Sequence, residues 1–384
     1  MTPRIRASLA SPGDQGATFV ELFFDLVFVF AVTQITHYAA SHLDAAGVSR
    51  SILVFWLVWW AWTQFTWALN AADTDHHHVR LWTLVSTGVA FVMAASVEQA
   101  FGEGALWFAL PYVLVRLLGL GLYRRVAHTQ AQAAAIHAFA LWSLSGFAAV
   151  LIGALLDPSV RSWAWLAAIA LDLLAARIGA QRGGWDLNPK HFAERHGLFV
   201  IIALGESLIV AGAAVASEAR TPELVRVGAL AVAATCLLWW SYFGWVKDVL
   251  EHRLATAIDE DRSTMARDVY SLAHFPLVCG IIAYAVGVEG VLSDPDGPVA
   301  LGVALALAAG VLLFVGSTAW ALRRSAGKLL VPRLVCLTVI AAALWQSASR
   351  SGVTVLSALC LGLVIIVAVE HLKGAQAQCA STTT

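Results

Sequence analysis

The chain has 384 residues, of which 59% are hydrophobic and 13% charged, and a formal net charge of −1. Against about 25% charged residues in an average soluble domain, so few charges and a mean hydropathy of +0.75 exclude an ordinary water-soluble fold, and the missing basic surplus excludes a nucleic-acid binder. Of five cysteines, Cys236, Cys279, Cys336 and Cys360 sit in apolar runs and Cys379 in a polar tail, so neither a disulfide framework, a metal centre nor a cofactor is implied.

Apolar runs of about 20 residues, bounded by charge, glycine and proline, predict spanning helices. They lie near 18–40, 49–70, 79–99, 104–123, 130–156, 160–178, 196–217, 223–247, 267–291, 298–322, 331–349 and 352–371. The fold class is therefore all-α: a polytopic membrane bundle of about 12 helices embedded in a lipid bilayer. The expected organisation is an N-terminal tail (1–17), a first six-helix half (18–178), a linker (179–195), a second half (196–372) and a C-terminal tail (373–384). Arg4 and Arg6 before an apolar run raise the question of a cleaved secretory signal, but Glu21 and Asp25 interrupt the run and its length suits a span. Lys and Arg concentrate at the N-terminus, in the even-numbered loops and at the C-terminus. The positive-inside rule then places both termini, the linker and a charged loop from Lys247 to Arg267 in the cytoplasm of an inner-membrane protein.

The first predicted helix carries Glu21 and Asp25, four residues apart and so on one face, with Val32 and Thr36 continuing that face while Gln34 and His37 point elsewhere. An acid near the bilayer centre costs ~2.5–3.5 kcal/mol, so such groups are paired, buried in the bundle or lining an aqueous path. Sixteen tryptophans are many for this length. Trp56, Trp59, Trp60, Trp62 and Trp67 crowd the second helix and Trp239, Trp240 and Trp245 the eighth, reading as helix packing or as the aromatic wall of a substrate cavity.

Sliding the chain on itself by about 180 residues sets Trp59-Trp60-Ala61-Trp62 against Trp239-Trp240-Ser241-Tyr242, and Asp25 against Glu206. The expectation is two parallel six-helix pseudo-repeats, with an acid at the equivalent place in each half. Glu206, deep in the seventh helix, has Gly205, Ser207 and Gly212 nearby, which predicts close helix approach. Arg116, itself embedded, is its expected cation, with Arg195 and Arg177 as alternatives; Asp172 reads as part of a buried network, and His137 and His274 as packing imidazoles. In Asp73-Thr74-Asp75-His76-His77-His78 the consecutive imidazoles are expected to splay apart rather than hold a metal.

Val20-Glu21-Leu22-Phe23-Phe24-Asp25-Leu26-Val27-Phe28-Val29-Phe30-Ala31-Val32-Thr33-Gln34 closely resembles the opening motif of the bacterial low temperature requirement protein A (LtrA) family. His191-Phe192-Ala193-Glu194-Arg195-His196-Gly197 through Gly205-Glu206-Ser207 resembles its central motif, and Asp73-Thr74-Asp75 with Val79-Arg80-Leu81 is a weaker match. The resemblance runs from about Gly16 to Lys373 and implies a multi-pass membrane protein, of a family named for a requirement during growth in the cold. It supplies no catalytic residues. It marks Glu21, Asp25, Asp73, Asp75, Arg80, Glu194, Arg195 and Glu206 as motif positions; His76, His77 and His78 fill a variable stretch, and His196 stands where an aromatic residue is expected.

The leading expectation is a secondary-transporter-like permease for a small neutral or hydrophobic solute or a lipid, coupled to protons through a carboxylate. Its path candidates are Glu21, Asp25, Arg116, Asp172, Glu194, Arg195, Glu206 and Ser207, with Asp73, Asp75 and Arg80 as a cytoplasmic motif. The alternatives are an intramembrane enzyme acting on a lipid, with the Asp pair holding a divalent cation, and a structural or regulatory membrane protein whose acids only hold the bundle. No Gly-rich phosphate loop or nucleophile–base set accompanies the enzyme reading.

Overall fold

A chain in lipid must satisfy its backbone polar groups internally, and long apolar runs do so as helices. The computed structural model describes residues 9, 11, 15–127, 129–181, 185, 187–217, 221–327, 333–335, 337–338, 340, 342 and 350–381. Its α-helices are α1 (Phe19–Ser41), α2 (Ala45–Asn70), α3 (His77–Ala95), α4 (Ala105–Val126), α5 (Gln130–Leu155), α6 (Pro158–Gln181), α7 (Pro189–Ser217), α8 (Pro222–Phe243), α9 (Val246–Thr256), α10 (Asp259–Met265), α11 (His274–Leu292), α12 (Leu301–Ala326) and α13 (Gly352–Ser381). A 3-10 turn (Glu98–Phe101) follows α3, and a π-helix (Ala266–Leu272) joins α10 to α11. Among the described residues, 11 candidate spans are long and apolar enough to cross a membrane, as expected of a polytopic all-α bundle. The remaining run, near 331–349, falls largely outside the described residues.

The boundaries follow local chemistry. Asp44 caps α2 by accepting from Gly47 N, and Thr129 and Thr221 do the same for α5 and α8. Gly327 ends α12 at φ 67°, a left-handed conformation that suits glycine.

Two differences from expectation stand out. The stretch from Lys247 to Arg267, expected as a charged loop, is largely helical: α9, α10 and the start of the π-helix. Val246, Leu250 and Leu254, four apart, are all buried, which makes α9 amphipathic but far shorter than a span. And α7 begins at Pro189, two turns before the apolar run, so that His191 and Arg195 are helical.

The chain forms two compact units, Met1–Phe199 with Leu254–Ser271 and Val200–Arg253 with Leu272–Thr384. In the first, α2 is the most enclosed helix; α1 packs on α2 and α3, α4 on α2, α3 and α5, and α6 on α5. Gly153 lets α5 and α6 close: a Cβ there would lie 2.8 Å from Trp165 Cδ1. In the second unit α11 packs on α12 through glycine, a Cβ at Gly280 falling 2.7 Å from Gly310 O and one at Gly310 falling 2.7 Å from Tyr284 N. Helix α8 packs on α13, and a buried Arg333–Glu370 pair, 2.6 Å apart, takes a further hydrogen bond from Trp245. His274 meets the Tyr242 hydroxyl at 2.8 Å, whereas His137, expected to pack, lies exposed on α5.

Candidate functional site

Glu21 and Asp25 on α1 face His191 and Arg195 on the opening turns of α7, and all four are fully buried. His191 Nε2 lies 3.0 Å from Glu21 Oε1, and Arg195 Nη2 donates to Asp25 Oδ1 at 2.5 Å. Arg195 Nη1 is also 3.5 Å from Glu21 Oε1. Two i, i+4 pairs matched in the same order form a ladder, which requires these two helix segments to run parallel. Trp62 Nε1 on α2 donates to Asp25 Oδ1 at 2.7 Å, and Arg195 sits 5.7 Å from the Trp62 ring centroid. Glu21 Oε2 also reaches back to the Thr18 N–H at 2.9 Å, so the acid that enters the ladder caps its own helix.

The charges do not balance by side chains alone. Two carboxylates oppose one guanidinium, so the cluster is neutral only with one further proton, on His191 or on a carboxyl. Asp25 Oδ2, Arg195 Nε and Arg195 Nη1 have no hydrogen-bond partner, so the ladder is tightly packed but not saturated.

A second buried network crosses α2, α4 and α6. Arg116 binds Asp172 through both terminal nitrogens, at 2.9 and 2.7 Å, donates to Tyr112 Oη at 2.6 Å and bonds Gln64 Oε1 through Nε. Gln64 also lines a cavity of about 60 Å³ within the first unit, walled by Trp60, Trp67, Tyr123, Phe139 and Trp185 and edged by Thr63, Ser263, Arg267 and Ser271. The π-helix supplies Arg267 and Ser271 to that edge, and such segments are frequent at functional sites. Ser271 ties the edge to the tryptophans: Trp59 Nε1 donates to its carbonyl at 2.7 Å and Trp67 Nε1 to its hydroxyl at 3.0 Å. Trp59 contacts Trp62, ring centroids 4.9 Å apart, so the cavity wall and the ladder meet through one pair of indoles.

The family model for the bacterial low temperature requirement A protein (LtrA) matches residues 16–369. An uncharacterized protein of Rhizobium meliloti (strain 1021) is 32% identical over 323 residues, covering 80% of this chain and 78% of its own length. The chain belongs to the LtrA family. No solved structure shows a significant match.

In the first unit the opening of the central stretch that carries the LtrA resemblance meets the chain before α1 and the end of α2. Asn70, at the end of α2, donates to Asn188 O at 2.9 Å and meets His191 Nδ1 at 3.2 Å; Gln15 donates to Ala72 O, and Asn188 donates to Gln15 O. Glu194 accepts from Ala17 N at 3.1 Å, tying the central motif to the chain just before α1. Asp73, Asp75 and Arg80 are not drawn into the ladder. Asp73 accepts from Asp75 N, and Asp75 pairs with Arg80 on the surface.

Several expectations are corrected. Arg116 and Arg195, the expected partners of Glu206, are engaged by Asp172 and by Asp25 with Glu21, while Arg177 is exposed. Glu206 and Ser207 lie buried on α7 in the second unit. Gly205 and Gly212 mark no close approach among the described residues: a Cβ at either would meet none of them within 4 Å. Nor do His76, His77 and His78 splay; one ligand atom from each lies within 4.8 Å of the others, because they start α3 with stacked rings. The sequence gives no signal for Ser271 or Arg267 at the cavity edge, and it leaves Trp62 as one of a tryptophan cluster and His191 as a motif position without a partner. His191 was legible, standing four residues before Arg195 as Glu21 stands before Asp25.

Proposed function

We propose that this LtrA protein is a secondary-transporter-like permease of the inner membrane, with both termini cytoplasmic, moving a small neutral or hydrophobic solute or a lipid in exchange for or together with protons. The observation that carries the reading is the Glu21–His191 and Asp25–Arg195 ladder: a fully buried set of charges that neutralises itself by holding one proton, in helices long and apolar enough to cross a membrane. A side chain that gains and loses that proton gives the bundle two electrostatic states, as coupled transport requires. Trp62 and Arg195 hold Asp25 Oδ1 while Oδ2 accepts no hydrogen bond, which leaves Oδ2 as an open lone pair of the ladder for that proton.

A parallel six-helix repeat (18–178 and 196–372, joined by the linker 179–195) supports the same reading. The ladder's parallel course for the openings of the first and seventh helices agrees with it, and Glu206, with Ser207 beside it, is the second half's counterpart of Asp25. Arg116 and Asp172 brace the cavity side of the path, Glu194 fastens its entrance, and Asp73, Asp75 and Arg80 form a cytoplasmic turn. The lipid-enzyme alternative has less support, because the ladder acids are enclosed and Asp75 is paired with Arg80 rather than aimed with Asp73 at a shared point. Proteoliposomes holding a pH gradient, challenged with panels of neutral solutes and lipids, test the proposal. Gradient-dependent uptake that is absent in Glu21→Gln and Asp25→Asn is expected, and uptake indifferent to the gradient for every solute counts against it.

A further inference from the structure

His191 is bonded at both ring nitrogens. Its Nε2 meets Glu21, and its Nδ1 meets the side-chain nitrogen of Asn70, the last residue of α2, at 3.2 Å. Asn70 is 2% exposed and His191 fully buried, so their partners come from within the chain. The backbone of Asn188 fixes which way the Asn70 amide points. The Asn188 N–H, which can only donate, bonds Asn70 Oδ1 at 2.8 Å, and the Asn188 carbonyl, which can only accept, takes a bond from Asn70 Nδ2 at 2.9 Å. Turned over, the amide would set NH2 against N–H and oxygen against oxygen. Asn188 is itself held in place at the start of α7, its side chain accepting from His191 N at 3.2 Å and donating to Gln15 O at 3.1 Å.

The two hydrogens on Asn70 Nδ2 thus serve two acceptors, Asn188 O and His191 Nδ1. An imidazolium carries hydrogen on both ring nitrogens and would point a donor at a donor there. A neutral ring with its hydrogen on Nε2 satisfies both sides, accepting from Asn70 and donating to Glu21. The two acids also differ. Glu21 has donors at both oxygens, His191 at Oε1 and the Thr18 N–H and O–H at Oε2, which suits a carboxylate. Asp25 has donors at Oδ1 alone. We infer that Asn70 is a positioning residue that holds His191 as the neutral Nε2–H tautomer, so that the proton neutralising the ladder is carried by Asp25 and not by the imidazole. The inference rests on the permease reading only for the task given to that proton; the tautomer is independent of transport.

The test uses the full chain in lipid nanodiscs at neutral pH, with histidine enriched in the heavy nitrogen isotope at Nδ1. The His191 resonance is the one that His191→Gln removes from the nitrogen NMR spectrum. In the wild type it is expected at the unprotonated position. The infrared spectrum is expected to hold a protonated-carboxyl stretch that carboxyl-labelled aspartate shifts and Asp25→Asn removes. Asn70→Leu removes the amide at similar size, so the Nδ1 resonance should move to the protonated position and the Asp25 stretch should be lost. A merely structural Asn70 would lower the unfolding temperature and move neither signal. A protonated Nδ1 in the wild type, no carboxyl stretch assignable to Asp25, or an unprotonated Nδ1 in a folded Asn70→Leu overturns the inference. The first two are read on the wild type and decide the matter even if Asn70→Leu does not fold. Gradient-driven uptake by a wild type whose Nδ1 is protonated removes this inference alone; an unprotonated Nδ1 with the Asp25 stretch, in a protein without gradient-driven uptake, removes the permease reading alone.

Discussion

Arg195 answers two acids from one position, so its loss is felt twice. Arg195→Met leaves Glu21 and Asp25 buried with only His191 to offset them, and breaking such a pair costs about 3–5 kcal/mol; a lowered unfolding midpoint in detergent is the expected outcome. Asp25→Asn behaves differently, because the amide oxygen still accepts from Trp62 and Arg195, so the protein stays folded while the titrating oxygen is gone. At the other buried network, Arg116→Met or Asp172→Leu alone strands a charge, whereas the double substitution removes both. Thermal scans should show the double variant more stable than either single one. The acids of this site were readable from the i, i+4 spacing of Glu21 and Asp25. Their partners were not, because a helix face says that an acid points inward but not which helix, 170 residues on, brings the arginine.

At the scale of helices, hydropathy carried the assignment wherever a run was long and apolar, and failed where helix formation depends on amphipathic packing instead. Helices α9 and α10 are short and rich in charge, so the expected spans near 223–247 and 267–291 stop on either side of them. Glycines show the same limit. The neighbourhood of Glu206 reads as a close-packing stripe, yet a glycine-to-glycine backbone approach is found instead at Gly280 against Gly310. Gly310→Ala should therefore lower the unfolding temperature, since its Cβ meets Tyr284 backbone atoms at 2.7 and 2.9 Å and overpacking of this kind costs about 1–3 kcal/mol. Gly212→Ala, with open space around it, should be neutral or slightly stabilising, and a side-by-side melting series decides between them.

The whole molecule divides into what hydropathy dictates and what only folding assembles. The all-α membrane class and eleven of the expected spans follow from composition; the cavity does not, because its wall draws on α2, α4, α5, α6, α10 and the π-helix, whose juxtaposition leaves no trace in local spacing. Orientation is testable with single cysteines in a cysteine-free background: Ser293, exposed after α11, should react with an impermeant reagent from outside cells, and Ala255, exposed on α9, should be protected. Ser263 is unsuitable, being buried at the cavity edge. The most direct test of the central claim is gradient-driven uptake in proteoliposomes of the wild type and Asp25→Asn, each checked for a folded unfolding profile. The account predicts uptake by the wild type that collapses when a protonophore removes the gradient, and none by a folded Asp25→Asn; gradient-driven uptake by Asp25→Asn equal to the wild type would contradict it.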